Sequence, residues 1–203
     1  KPKEISRTAT AAKKETPEER KPVIQLDNFI TDYDIYLFRE GKHFSLHKKL
    51  GAHLMKKDDK EGTFFAVWAP NAKSVSVIGN FNGWLRDAHH LEARKDGSGI
   101  WQGFIPGVMK GEAYKYFISS NFDDYQVEKA DPVGFYSEQP PKTASITWEY
   151  TYKWKDQKWM KNRKERNSLD GPISVYEVHL ESWRHAVEDT TRPLSYRELA
   201  EQL

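Results

Sequence analysis

From residue 63 to residue 150 the chain alternates apolar and polar positions in short runs that end at Gly, Pro or Asn. Residues 63–70 are aromatic and β-favouring and stop at Pro70. In 74–79, Val75 and Val77 take one face and Ser74 and Ser76 the other. Asn82-Gly83 signals a tight turn. A strand at 100–106 follows the turn Asp96-Gly97-Ser98-Gly99. In 113–119, Tyr114, Tyr116 and Ile118 alternate with Lys115, Phe117 and Ser119, and a strand at 143–150 closes the set. Short strands parted by turn residues predict a mainly β fold, an immunoglobulin-like antiparallel β-sandwich over 62–150.

The flanks carry other patterns. Residues 1–21 hold too little apolar material to offset the entropy of ordering, which predicts a disordered leader. Residues 22–61 predict a preamble of short helical turns up to Phe38, packed on the strands that come after it. Residues 151–171 are rich in Lys, Arg and Glu and predict an exposed helical linker. The run 172–180 predicts a buried strand with Glu177 and His179 on one face. Ser195 and Glu198 have capping-box spacing, with Leu194 and Leu199 as the staple, so a helix starts there. Its apolar stripe of Tyr196, Leu199, Ala200 and Leu203 has nothing after it to pack on. A strand, a helix and then a stop predict, over 172–203, the truncated first βα unit of a (β/α)8 barrel.

Composition narrows the chemistry. Aromatic residues make up 13% of the chain against 37% hydrophobic overall, so much of the apolar bulk is in flat rings. Trp68 and Trp101 are expected in the core. A net charge of +2 with 31% charged residues argues against a dedicated nucleic-acid or acidic-membrane binder. The absence of cysteine excludes disulfides and thiolate metal sites and fits a reducing compartment. No apolar run nears the roughly 18 residues of a membrane span, and the first residues lack a secretory h-region, so a cytoplasmic protein is expected. There is no Gly-rich phosphate loop, His-Glu-x-x-His or Gly-x-Ser-x-Gly. Asp58-Asp59 and Asp123-Asp124 read as solvated turn charge, and His89-His90 lacks further ligands at metal spacing.

The segments 65–72 (Phe-Ala-Val-Trp-Ala-Pro-Asn-Ala) and 75–84 (Val-Ser-Val-Ile-Gly-Asn-Phe-Asn-Gly-Trp) resemble the carbohydrate-binding modules of family 48. Such modules precede the catalytic barrel of glucan branching and debranching enzymes, and a similar one occurs in the β subunit of AMP-activated protein kinase. Gly111 to Tyr116 and Lys129 to Pro132 continue the resemblance. Gly51-Ala52-His53, the run 176–183 and the run 194–200 are similar to branching enzymes in particular. The resemblance covers roughly 35–203, with Glu181 where the family usually has Gly and Asn80 where it often has Asp.

The resemblance implies the N-terminal, glucan-binding region of a 1,4-α-glucan branching enzyme. Such an enzyme cuts α-1,4 bonds and forms α-1,6 branches through two carboxylates, with retention and without metal or organic cofactor. Those carboxylates lie on later barrel strands, so this stretch is expected to be non-catalytic. Its partners are α-glucans such as glycogen, starch and maltooligosaccharides, and the parent's own barrel. A pyranose offers apolar C–H faces and a hydroxyl rim, which suit an exposed ring beside Lys or Asn. The resemblance carries over Trp84 and Lys115 as sugar contacts. Asn82 stands beside Trp84, and Tyr125 or Phe122 is the candidate second platform. Trp84 packed at the sandwich edge is the alternative for that residue. Alternatives for the whole are a debranching or trehalose-releasing enzyme with the same module, or a non-catalytic glycogen-targeting protein. Glu177 and His179 stand either near the chemistry of the barrel or in a structural hydrogen-bond role.

Overall fold

A computed structural model describes residues 29–203. The leader expected at 1–21 and the start of the preamble at 22–28 lie outside the described residues. The chain divides into two compact units, one running to Thr151 and the other spanning Tyr152–Leu203.

The first unit opens with helix α1, Asp32–Arg39. Thr31 caps it through a full capping box with Asp34, and Asp32 and Asp34 sit at the favourable end of the helix dipole. Strands follow: β1 Gly51–Lys57, β2 Lys60–Trp68, β3 Ala72–Gly79, β4 Glu92–Ala93 and β5 Ile100–Pro106. Then come β6 Ala113–Ser120, β7 Gln126–Lys129, β8 Tyr136–Ser137 and β9 Ser145–Ile146. Every pairing is antiparallel. One sheet runs β1-β2-β5-β4, and the other runs β3-β6-β9-β8 with β7 also on β6. We call them the back sheet and the front sheet.

Alternation decides which side chains meet. Phe65 and Val67 of β2 and Ile105 of β5 face Val75 and Val77 of β3 and Tyr114 and Tyr116 of β6, forming the core between the sheets. The opposite parity of the back sheet, Phe64, Ala66, Ile100 and Phe104, packs under Ile30, Ile35 and Leu50 of the preamble. The back sheet is therefore covered on both faces, which explains why β2 reads as an unbroken apolar run. A strand buried on both faces stabilises by roughly 1.5–3 kcal/mol per large side chain removed from water.

Asp131 is a buried carboxylate in this core. Its Oδ2 accepts the hydroxyls of Tyr114 (2.7 Å) and Tyr116 (3.0 Å), and its Oδ1 accepts Val133 N–H at 2.8 Å. Burial raises its pKa, against the lowering effect of those three bonds. Asp58-Asp59 and Asp123-Asp124 have positive φ at both positions, as in tight hairpin turns. Among the described residues no cluster suits a metal ion, and no helix is long and apolar enough to cross a membrane.

Several expectations are corrected. Residues 51–61, expected within the preamble, are β1 and the start of β2, paired from Gly51↔Ala66 to Lys57↔Lys60. The charged and half-buried residues of β1 hide its period, because it is an edge strand. Trp68 is 53% exposed at the strand end, with Nε1 donating to Ser98 O, so it is not core. Trp101 is half-buried against the core and donates to Ala69 O. Of 143–150, only Ser145–Ile146 is strand.

In the second unit, helix α2 (Gln157–Arg166) buries no residue. Residues 172–179 form no strand, and Ile173, Val175 and Tyr176 are exposed. A parallel strand needs hydrogen-bonded neighbours, and among the described residues none pairs with it. Glu177 and His179 therefore share no strand face, and His179 Nδ1 lies 3.0 Å from Ser182 Oγ. A short helix α3, Leu180–Trp183, follows, and helix α4, Tyr196–Ala200, begins with the Ser195–Glu198 capping box. Leu199 is buried while Tyr196 and Leu203 stay exposed.

Candidate glucan-binding face

The site is built on the front sheet. β3 ends at Gly79, which pairs with Tyr114 of β6, and the next residue of β6 is Lys115. Lys115 is on the parity opposite to Tyr114 and Tyr116, so its side chain leaves the outer face. Its Nζ donates to Thr143 Oγ1 at 2.8 Å.

Beyond Gly79 the chain makes one 3-10 turn, Asn80–Asn82. Gly83 and Trp84 are both left-handed, at φ 63° and 61°. Glycine takes this conformation freely, but for Trp84 it is strained. The turn is held by bonds back to β3. Trp84 N–H donates to Gly79 O at 2.9 Å, and Trp84 Nε1 donates to Asn80 Oδ1 at 3.1 Å. Asn80 therefore fixes the indole plane, a role open to Asp as well. Trp84 is 37% exposed. Trp84 and Lys115 are thus rooted at the same end of the β3–β6 pair.

Asn82 does not share that surface. It is 4% exposed. Its Oδ1 accepts Gly79 N–H at 2.9 Å, and its Nδ2 donates to Val77 O at 2.9 Å and to His89 Nδ1 at 2.9 Å. Buried and bonded within the turn by both amide atoms, it holds the turn and is not offered to a sugar hydroxyl.

Tyr125 and Phe122 are exposed at the hairpin between β6 and β7. Ser120 N–H donates to Tyr125 O, so Tyr125 stands five residues along β6 from Lys115. That is about 17 Å, and the odd step turns it to the opposite parity. The structure does not bring it to Trp84 and Lys115. Between them lies Arg86, stacked 4.8 Å over Phe117 and bonded to Glu128 of β7 at 2.8 Å. Ser76 Oγ donates to Arg86 O, which ties the Trp84 loop to β3.

Sequence reasoning missed an exposed ring on the outer face of the front sheet. Tyr136 of β8 pairs with Ile146 of β9, which pairs with Ala113 of β6. Paired residues share a face, and Ala113 and Lys115 are two apart, so Tyr136 and Lys115 share the outer face. Tyr136 is 47% exposed and stacks on Trp148 at 5.0 Å. Lys110 Nζ lies 4.2 Å from the Trp148 ring centre. β8 has two residues, too few for any visible alternation, so no sequence signal marks it.

Residues 49–134 match the family model described as carbohydrate-binding module 48 (isoamylase N-terminal domain). The 1,4-alpha-glucan branching enzyme GlgB of Aquifex aeolicus is 51% identical over 176 residues, covering 87% of this chain and 28% of that enzyme. The enzyme of the same name from Thermosynechococcus vestitus is 48% identical over 196 residues, covering 86% of this chain and 25% of the enzyme. A crystal structure of Klebsiella pneumoniae pullulanase complexed with maltotriose is 26% identical over 49% of this chain and 9% of that one, with a TM-score of 0.38. The chain spans about a quarter of the length of the curated relatives it matches. Residues 49–134 thus match a carbohydrate-binding module of family 48, and most of the chain is similar to a part of 1,4-alpha-glucan branching enzymes.

Proposed function

We propose that the front sheet binds α-glucan through Trp84 and Lys115. The observation that carries this is the strained, hydrogen-bonded turn that holds a partly exposed indole at the end of β3, the strand paired with the one that carries Lys115. The ring suits the C–H face of a glucose unit, and the ammonium suits its hydroxyl rim. Lys115 already bonds Thr143 Oγ1, so a hydroxyl there replaces an existing partner instead of meeting a bare charge. A shallow site of this kind binds weakly.

The module serves a branching enzyme of the cytoplasm that cleaves α-1,4 bonds and forms α-1,6 branches in glycogen or starch. It delivers glucan to the parent's catalytic barrel. The 203 residues themselves bind and do not catalyse. Support for this reading comes from the identity to branching enzymes across most of the chain. Calorimetric titration of the chain with maltoheptaose tests the binding. Weak saturable binding, insensitive to salt and reduced by Trp84→Ala, is expected; unchanged binding in that variant overturns the assignment of the face. For the full-length parent, amylose stained with iodine should lose absorbance without a matching rise in reducing ends. A matching rise would mean hydrolysis, as in a debranching enzyme.

A further inference from the structure

The binding face extends sideways across the strands, beyond Trp84 and Lys115. We propose that Tyr136 is a second sugar platform on the front sheet, so that the site takes a linear run of several α-1,4-linked glucose units. This rests on the glucan-binding reading of the same face and specifies the ligand it selects.

Three observations converge on Tyr136. The first is register: the pairs Ala113↔Ile146 and Tyr136↔Ile146 place it on the outer face with Lys115. The second is support. The ring is backed by Trp148 at 28° to its plane, and a backed ring is fixed before ligand arrives, which lowers the ordering cost of binding. The third is the open space beside it. A cleft of about 480 Å³ adjoins Tyr136 and is lined also by Gln139, Lys142, Pro140 and Ile146. Amide and ammonium groups next to a ring are the pairing that a pyranose requires.

The Lys115–Thr143 hydrogen bond joins the two halves, because Thr143 lies in the connection that follows β8. The root of Trp84 at Gly79 is on β3, and Tyr136 is on β8. In the order β3-β6-β9-β8 that is three strand spacings, about 14 Å. One glucose ring cannot touch both platforms; an extended segment can. Tyr125, at the far end of β6 and on the other parity, is not on this path.

The test is titration of the whole chain and three variants with maltose and maltoheptaose. The unaltered chain should bind maltoheptaose more tightly than maltose. Tyr136→Ala should weaken maltoheptaose roughly fivefold, which corresponds to about 1 kcal/mol, and leave maltose unchanged. Tyr136→Phe keeps the ring and should restore the affinity. Trp84→Ala should weaken both ligands. Equal affinities for the two ligands, or an unchanged maltoheptaose affinity in Tyr136→Ala, overturn the extended site alone, provided Trp84→Ala still weakens binding. Absence of binding to either ligand, or no effect of Trp84→Ala, overturns the glucan-binding reading itself and the extension with it. Near-ultraviolet circular dichroism of Tyr136→Ala should keep the remaining native signals; their loss together with binding, unrestored by Tyr136→Phe, also counts against the platform.

Discussion

Asn82 Nδ2 donates to His89 Nδ1 at 2.9 Å inside the turn that presents Trp84. The direction of that bond is fixed. Gly79 N–H donates to Asn82 Oδ1, so the other amide atom must be nitrogen, and the histidine Nδ1 must be the acceptor. His89 therefore carries its proton on Nε2 in the bound arrangement.

Asn82→Ala should remove three buried hydrogen bonds and leave Gly79 N–H and Val77 O short of partners. A loss of roughly 2–3 kcal/mol of stability is expected in urea unfolding. Maltoheptaose binding should also fall, although Asn82 touches no sugar. Binding kept at full strength in a folded Asn82→Ala chain would show that the turn holds Trp84 without it.

Trp84 is held at a φ that favours glycine. Trp84→Gly should therefore be more stable than Trp84→Ala, by about 1 kcal/mol in thermal or urea unfolding. Both should weaken glucan binding alike. Equal stabilities would mean that the left-handed turn relaxes at little cost once the indole is gone.

Asp131→Ala should leave the hydroxyls of Tyr114 and Tyr116 buried without their acceptor. The expected cost is roughly 2–4 kcal/mol in urea unfolding, the largest of these single changes. Burial raises the Asp131 pKa above its ordinary 3.8. Its contribution is then full below that value and declines as pH rises through the raised one, so Asp131→Asn should remove this decline.

Asp34 has the opposite sign. Burial raises its pKa, but hydrogen bonds from Thr31, His43 and Lys49 outweigh that and hold the carboxyl well below its ordinary 3.8. Oδ1 lies 2.8 Å from His43 Nε2, and Oδ2 lies 3.0 Å from Lys49 Nζ. The stability it adds is present above the ordinary value and is lost as pH falls through the carboxylate range. Unfolding midpoints between about pH 5 and about pH 2 should fall less steeply in Asp34→Asn than in the unaltered chain. Parallel pH profiles would show that the cluster contributes nothing through its charge.

The strands with clean alternation were legible in the residues alone, because Val75 and Val77 or Tyr114 and Tyr116 have one wet side and one dry side. The capping box at Ser195 was legible for a similar reason, since it needs only local spacing. The hidden features depend on distant partners. β1 is recognisable only when β2 lies beside it, and Tyr136 joins Lys115 only through two register pairs. Asn82 shows the limit most clearly. The Asn-Gly pair marks a turn, but nothing in it tells whether the amide faces water or is enclosed by Val77 and His89.

The preamble over the back sheet has a directional consequence. With Ile30, Ile35 and Leu50 packed on Phe64 and Phe104, the middle of that face is taken up by the protein's own residues. On the proposed front-sheet reading, a glucan chain that adheres there has its orientation in space decided by which way the sandwich is mounted.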